Sequence, residues 1–140
     1  MPCPFFIPLE RFDDAGWAHP LRLPLGAGFR GSCCAPGAEG YQPTDEELKS
    51  GCNLGYARTC PRLPHDRDAD AVRFSVQRER DGQISICYVS ELDYLPAEHG
   101  MLHYQVAERR WVQPARNVRI MPLAECFLNS YLDRKGKNHG

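Results

Sequence analysis

The second half of the chain is dominated by alternating apolar and polar positions. In residues 71–79, AVRFSVQRE, apolar side chains fall on every second position, and the pattern recurs in residues 83–91, QISICYVSE. An Asp-Gly pair lies between them in RDGQ, residues 80–83. Alternation on both sides of such a turn predicts an antiparallel hairpin. Its apolar face consists of Val72, Phe74, Val76, Ile84, Ile86 and Tyr88.

The remaining patterns of this half predict two more strands and a helix. Residues 100–113, GMLHYQVAERRWVQ, favour a third strand that turns near Glu108 and Arg109 into a short fourth strand containing Trp111. Residues 121–135, MPLAECFLNSYLDRK, favour a helix with Pro122 in its first turn. Its apolar stripe would cover one face of the sheet. We expect residues 133–140, DRKGKNHG, to fray.

The first 66 residues have a different pattern, because they hold nine of the twelve prolines and five of the seven cysteines. So many prolines disfavour long helices and central strands. One helix is predicted in residues 43–52, where Thr44 and Glu47 form a capping box and Gly51 ends the helix near Cys52. The rest is predicted to be ordered loop, and a loop-rich segment of this length needs something to hold it.

Composition narrows the class of protein. The chain has 140 residues and a net charge of −1, which suits one globular domain and argues against nucleic-acid binding through many phosphate contacts. No stretch approaches the roughly 20 apolar residues of a membrane span, and MPCPFFIPLERFDD lacks the segments of a secretory signal. We therefore expect a cytoplasmic protein with no membrane insertion. Seven cysteines in a reducing compartment favour metal or redox chemistry over disulfides.

Four dispersed cysteines are the candidate ligands of a metal site: Cys3, Cys33, Cys52 and Cys60. A site made of them would tie together the segment that lacks a regular pattern, because metal-binding free energy becomes folding free energy. Cys34 and His65 are alternate ligands. The other two cysteines, Cys87 and Cys126, lie in the strand and helix patterns and are interpreted as packing residues.

The spacing of these cysteines bears on which metal they would hold. Structural zinc sites usually present cysteines as close pairs, C-x(2–4)-C, which this sequence lacks outside the Cys33-Cys34 doublet. Dispersed cysteines suit the corners of an iron–sulfur cluster, and a proline directly after Cys60 also occurs at cluster ligands. We therefore expect a [4Fe–4S] cluster; zinc, or no metal, are the alternatives. The expected apolar shell is Phe5, Phe6, Leu54, Tyr56 and Leu63, and the expected charge-balancing residues are Arg30, Arg58 and Arg62.

Three stretches carry a resemblance: CPFF at residues 3–6, CNLGYARTCPRLP at 52–64 and DAVRF at 70–74. In these the chain resembles a group of short bacterial proteins to which we can attach no activity. The resemblance implies that Cys3, Cys52 and Cys60 belong to one site.

These patterns predict one α+β domain over residues 1–140. Residues 1–66 would form a cysteine- and proline-rich metal-binding half, and residues 67–140 an antiparallel sheet of three or four strands with a C-terminal helix. Because four protein ligands leave no iron open to substrate, we expect electron transfer, redox sensing or a structural cluster rather than catalysis, with no catalytic residues. The partner would be a redox protein or a larger complex. The alternative is a zinc-stabilised or metal-free protein-binding module.

Overall fold

The computed structural model describes residues 2–12, 23–56 and 59–139, and the side chains of these ranges up to residue 135. In chain order the elements are strands β1 (Phe6–Arg11) and β2 (Phe29–Cys33), helix α1 (Asp45–Glu47), a π-helical turn (Leu48–Cys52), strands β3 (Ala71–Arg80), β4 (Gln83–Leu92), β5 (Leu95–Gln105) and β6 (Arg110–Trp111), and helix α2 (Ile120–His139). This arrangement confirms the predicted α+β class.

The four-stranded antiparallel sheet is confirmed, with the strand order β3-β4-β5-β6. The Asp81-Gly82 turn has φ angles of 54° and 76°, as a tight hairpin between twisted strands requires. Val72, Ile84 and Ile86 are almost completely buried on one face. Alternation therefore predicted both the pairing and the buried face of this sheet correctly.

Strand β5 begins at Leu95, earlier than the predicted stretch that starts at Gly100. The turn before it contains Asp93 and Tyr94, whose φ angles of 53° and 67° are uncommon for residues other than glycine. Long-range hydrogen bonds hold this turn: the Asp93 N–H donates to Asp70 Oδ2 at 2.9 Å, and the Tyr94 N–H donates to the Tyr56 hydroxyl at 3.0 Å. Such distant partners leave no local signal in the sequence.

Helix α2 packs against the buried face of the sheet, as predicted. The Phe74 and Phe127 rings lie 5.6 Å apart, and Leu123 is fully buried. The helix continues to His139, so the prediction that it frays from residue 133 was wrong over residues 133–139. Lys135 in this part of the helix and Tyr131 one turn before it both bond Glu79 on β3, which extends the contact with the sheet.

A second, two-stranded sheet formed by β1 and β2 corrects the prediction that the first half is mainly loop. The pairing is antiparallel, with Phe6 opposite Cys33, and shifts its register between Pro8 and Glu10. Gly31 permits a very close approach, because a Cβ atom there would lie 1.9 Å from the carbonyl oxygen of Ile7. The proline and the register shift interrupt the alternation by which the longer strands were recognised.

The capping box at Thr44 is confirmed, since the Glu47 N–H donates to Thr44 Oγ1 at 3.2 Å and the Thr44 N–H donates to Glu47 Oε1 at 2.9 Å. The helix it starts is not the single α-helix that was predicted, because a π-helical turn follows at Leu48–Cys52. Asn53 widens this turn: its backbone N–H and its Nδ2 both donate to the Leu48 carbonyl, at 3.3 and 2.9 Å.

One buried core serves both parts of the chain. Phe6, Phe29 and Leu48 from the first part pack in the same cluster as Ile84 and Leu123 from the second. The first part thus supplies apolar side chains to a shared core. Within the described residues, no helix has the length and apolar character needed to cross a membrane.

Candidate functional site: a cysteine-lined cavity

All four cysteines that the sequence singled out line one small cavity: Cys3, Cys33, Cys52 and Cys60. They arrive from four different places in the fold. Cys3 precedes β1, Cys33 ends β2, Cys52 ends the π-helical turn, and Cys60 lies in a loop. The cavity has a volume of about 30 Å³, more than the ~10–15 Å³ that one water needs. All seven cysteines are free thiols.

Backbone hydrogen bonds fix the positions of Cys3 and Cys52. The Cys3 N–H donates directly to the Cys52 carbonyl at 3.0 Å, and the carbonyl of Pro2 accepts from the Val72 N–H at 3.0 Å. The amino-terminal segment is thereby tied both to the π-helical turn and to β3. Two cysteines far apart in sequence are thus joined through their backbones.

Asn53, which follows Cys52, is the polar anchor of this region and is only 1% exposed. Its Oδ1 accepts from the Phe29 N–H at 3.1 Å, and its Nδ2 donates to the Phe29 carbonyl at 3.0 Å. Together with its bond to the Leu48 carbonyl, this side chain joins the π-helical turn to β2. The sequence did not reveal this role, because a single asparagine has no pattern to mark it.

The structure separates the two members of the cysteine doublet. Cys33 lines the cavity, and its Sγ accepts a hydrogen bond from the Ala35 N–H at 3.4 Å. Cys34 does not line the cavity; its N–H donates to the Phe5 carbonyl at 2.8 Å. The sequence analysis preferred Cys33 with Cys34 as the alternate, and of the two it is Cys33 that lines the cavity.

Burial affects the ionisation of two of the cavity thiols, Cys52 and Cys3. It is the largest of the causes that raise the pKa of Cys52 to about 12, with smaller contributions from the neighbouring Cys3, Cys60 and Cys33. Burial is also the largest cause that raises the pKa of Cys3 to about 11; a backbone hydrogen bond with Phe5 opposes this rise, and Cys33, Cys60 and Cys34 add to it. Without a cation nearby, deprotonating Cys3 or Cys52 is therefore unfavourable.

The lining of the cavity is almost wholly apolar. Three of the five predicted shell residues line the cavity, Phe5, Phe6 and Leu63, together with Ala35 and Pro43. The other two do not. Leu54 is 43% exposed, and Tyr56 lies in a neighbouring cleft, bonded to Glu91.

Of the two arginines predicted to balance charge that the structure describes, Arg62 borders the cavity and Arg30 does not. Its guanidinium is paired with Glu47 and lies 3.9 Å from the centre of the Tyr41 ring. Arg30 is directed elsewhere, 4.0 Å over the Phe12 ring and within 3.9 Å of Asp45. Arg58 lies outside the described residues. The alternate ligand His65 is exposed and does not line the cavity.

A polar cleft of about 280 Å³ adjoins the cavity and shares Cys52, Cys60 and Arg62 with it. Its remaining lining residues are Glu47, Ser50, Gly51, Tyr56, Thr59 and Pro61. The Arg62–Glu47 pair lies where the two spaces meet. This pair was not predicted from the sequence, because Glu47 and Arg62 are far apart in the chain, on either side of the loop that carries Cys60.

Side chains that line the same cavity are not necessarily placed to bind one metal ion together. Among the residues that the structure describes, no three His, Cys, Asp or Glu side chains form a group positioned to hold one metal ion. What the four cysteines share is the lining of one cavity. Their role as ligands is a prediction that this geometry leaves to experiment.

No known family model, curated protein or solved structure matches this chain.

Proposed function

We propose that Cys3, Cys33, Cys52 and Cys60 hold a [4Fe–4S] cluster and that the protein acts in electron transfer or redox sensing, or uses the cluster structurally. The observation that carries this proposal is that four cysteines from four separate segments line one apolar cavity.

The donor set and its surroundings suit such a cluster. Four thiolates are its usual ligands, and each binds a different iron. Cysteines that line one cavity, with no single-ion group among the described residues, therefore suit a cluster better than one central ion. The N–H of Ala35 already donates to Cys33 Sγ, and bonds of this type to cluster sulfur help to set the reduction potential.

The roles of this chain's residues follow from their positions. Four cysteine ligands would occupy every iron, which argues for electron transfer or a structural role rather than substrate activation. Phe5, Phe6 and Leu63 would keep water from the sulfurs. We further propose a protein partner, reached at the side where Cys52 and Cys60 border the polar cleft.

The test is to purify the protein anaerobically and to measure iron, zinc and acid-labile sulfide per chain. Near four irons and four sulfides, with broad absorption near ~400 nm, would support the proposal. One zinc without sulfide would contradict it and indicate a colourless structural site. Absence of both metals after anaerobic reconstitution with iron and sulfide would contradict any metal role.

A matched pair of variants tests the assignment of ligands. Cys60→Ser should lose the metal, whereas Cys126→Ala should keep it, because Cys126 lies on α2 away from the cavity. Equal metal content in the two variants would refute Cys60 as a ligand.

A further inference from the structure

The face of the four-stranded sheet opposite α2 carries a concentration of basic residues. Cross-strand pairing aligns Arg78 with Ser85 and Ser85 with His103, and in the next row it aligns Arg80 with Gln83. These residues and Asp81 line a cleft of about 330 Å³. None of them takes part in the cysteine-lined cavity.

The charges in this cleft favour an anion. Arg78 has no carboxylate within ion-pair distance among the described residues. The one carboxylate in the cleft, Asp81, lies 3.6 Å from Arg80, and both of these side chains are largely exposed. One guanidinium is therefore left without a partner beside several neutral hydrogen-bonding groups. Guanidinium groups are well shaped to bind phosphate oxygens.

The floor of the cleft provides a further donor. Ser85 is only 8% exposed, and its Oγ lies 2.8 Å from Nδ1 of His103. The serine hydroxyl and the neutral imidazole carry two hydrogens between them, and their mutual bond uses one. Whichever tautomer is present, the other hydrogen remains free to donate to a ligand.

From this arrangement we propose that Arg78, Gln83, Ser85 and His103 form a binding site for a phosphate-type oxyanion. The oxyanion is either free phosphate or the phosphate group of a small phosphomonoester. The volume of the cleft leaves room for a small organic group beside the phosphate. The proposal is independent of the cysteine-lined cavity and stands whether or not a cluster binds there.

The test is a titration at constant ionic strength, followed by two-dimensional amide NMR, with inorganic phosphate and with ribose 5-phosphate as probes. We expect saturable shifts centred on residues 78, 83, 85 and 103. Arg78→Gln should weaken binding about tenfold, the loss typical of a charge-assisted hydrogen bond. Tighter binding of ribose 5-phosphate would identify a phosphomonoester as the ligand, and equal affinity would identify the free oxyanion.

The matched control is Arg73→Gln. Arg73 lies on the same strand and face but outside the cleft, and it is paired with Glu91 at 3.5 Å. This variant removes the same charge and should change the affinity less than about twofold. Equal weakening by both variants would show general charge attraction and overturn the site. Absence of saturable shifts with either probe would also overturn it.

Discussion

The two parts of this molecule share a core but are held in place differently. The four-stranded sheet has long hydrogen-bond ladders along β3, β4 and β5, each interrupted by one register shift. The cysteine-bearing part has one short strand pair and a set of single bonds, such as the one from the Cys3 N–H to the Cys52 carbonyl. In a ladder, one lost bond is backed by its neighbours, whereas an isolated bond has none. The cysteine-bearing part should therefore depend strongly on a few groups.

The largest effect, a difference in iron content, is expected between two variants of the cysteine doublet. Cys33→Ser and Cys34→Ser differ by one position. Cys33 lines the cavity and accepts from the Ala35 N–H, whereas Cys34 does neither. Under the proposed ligand assignment, Cys33→Ser should lose most of the iron and the absorption near ~400 nm, since the proposed cluster depends on four thiolates. Cys34→Ser should retain both.

Iron and sulfide analysis of the two purified variants measures this difference directly. Retention of iron in Cys33→Ser together with its loss in Cys34→Ser would exchange the two assignments. Circular dichroism should show the four-stranded sheet intact in both variants, because its ladders do not involve the doublet.

The next largest effect, a loss of folding stability, is expected when alanine replaces either of two crowded glycines, one in each sheet. A Cβ atom at position 31 would lie 1.9 Å from the Ile7 carbonyl oxygen, whereas one at position 100 would meet the end of the Tyr88 side chain at 2.5 Å. A side chain can move aside more easily than a paired backbone. Gly31→Ala should cost about 3 kcal/mol, the upper part of the range for overpacking, and Gly100→Ala should cost less.

Urea unfolding of both variants gives the two free energies, and the iron content shows whether the cavity survives. Gly31→Ala should also lose iron, because β1 and β2 position the cysteines at residues 3 and 33. A smaller loss of stability in Gly31→Ala than in Gly100→Ala would contradict the close approach of the two strands.

The same contrast explains how far the sequence could be interpreted. Alternation repeated over several positions predicted β3 and β4, and the Asp-Gly pair predicted their turn. Strands β1 and β2 escaped prediction because Pro8, a register shift and Gly31 leave too few alternating positions. The expected reducing compartment and the dispersed spacing of the cysteines indicated four of them as candidate ligands, and the fold places these four around one cavity. The Arg62–Glu47 pair and the Asn53 anchor depend on contacts across the fold, which no local pattern records.

A third test compares two asparagines. Asn53 is buried and makes three bonds to backbone groups of Phe29 and Leu48. Asn117, before α2, accepts from the Arg119 N–H at 3.1 Å near the surface. Asn53→Ala leaves buried backbone groups without partners and should cost about 2–3 kcal/mol. Asn117→Ala should cost about 1 kcal/mol, as the loss of a helix-capping bond does.

Thermal and urea unfolding of the two alanine variants would measure these costs. Similar values would mean that water replaces the lost partners at Asn53 and that this side chain is not the anchor of the π-helical turn. A lower iron content in Asn53→Ala alone would connect the anchor to the position of Cys52.

The smallest effect is expected at Tyr56, which joins the cysteine-bearing part to the β4–β5 turn. Its hydroxyl donates to Glu91 Oε1 at 2.7 Å and accepts from the Tyr94 N–H at 3.0 Å, while the two tyrosine rings stack 4.2 Å apart. Tyr56→Phe keeps the stacking and removes both hydrogen bonds. The expected cost at neutral pH is about 1 kcal/mol.

The pH dependence distinguishes this bond from simple packing. Burial and the bond to Glu91 raise the pKa of Tyr56 from 10 to about 12. Because the folded state favours the protonated hydroxyl, its contribution to stability is complete below pH 10 and is lost as the pH rises toward 12. Tyr56→Phe should therefore lose less stability than the wild type between these pH values. Parallel losses in the two proteins, measured by urea unfolding at each pH, would show that other groups cause the alkaline destabilisation and that the Tyr56 link contributes little.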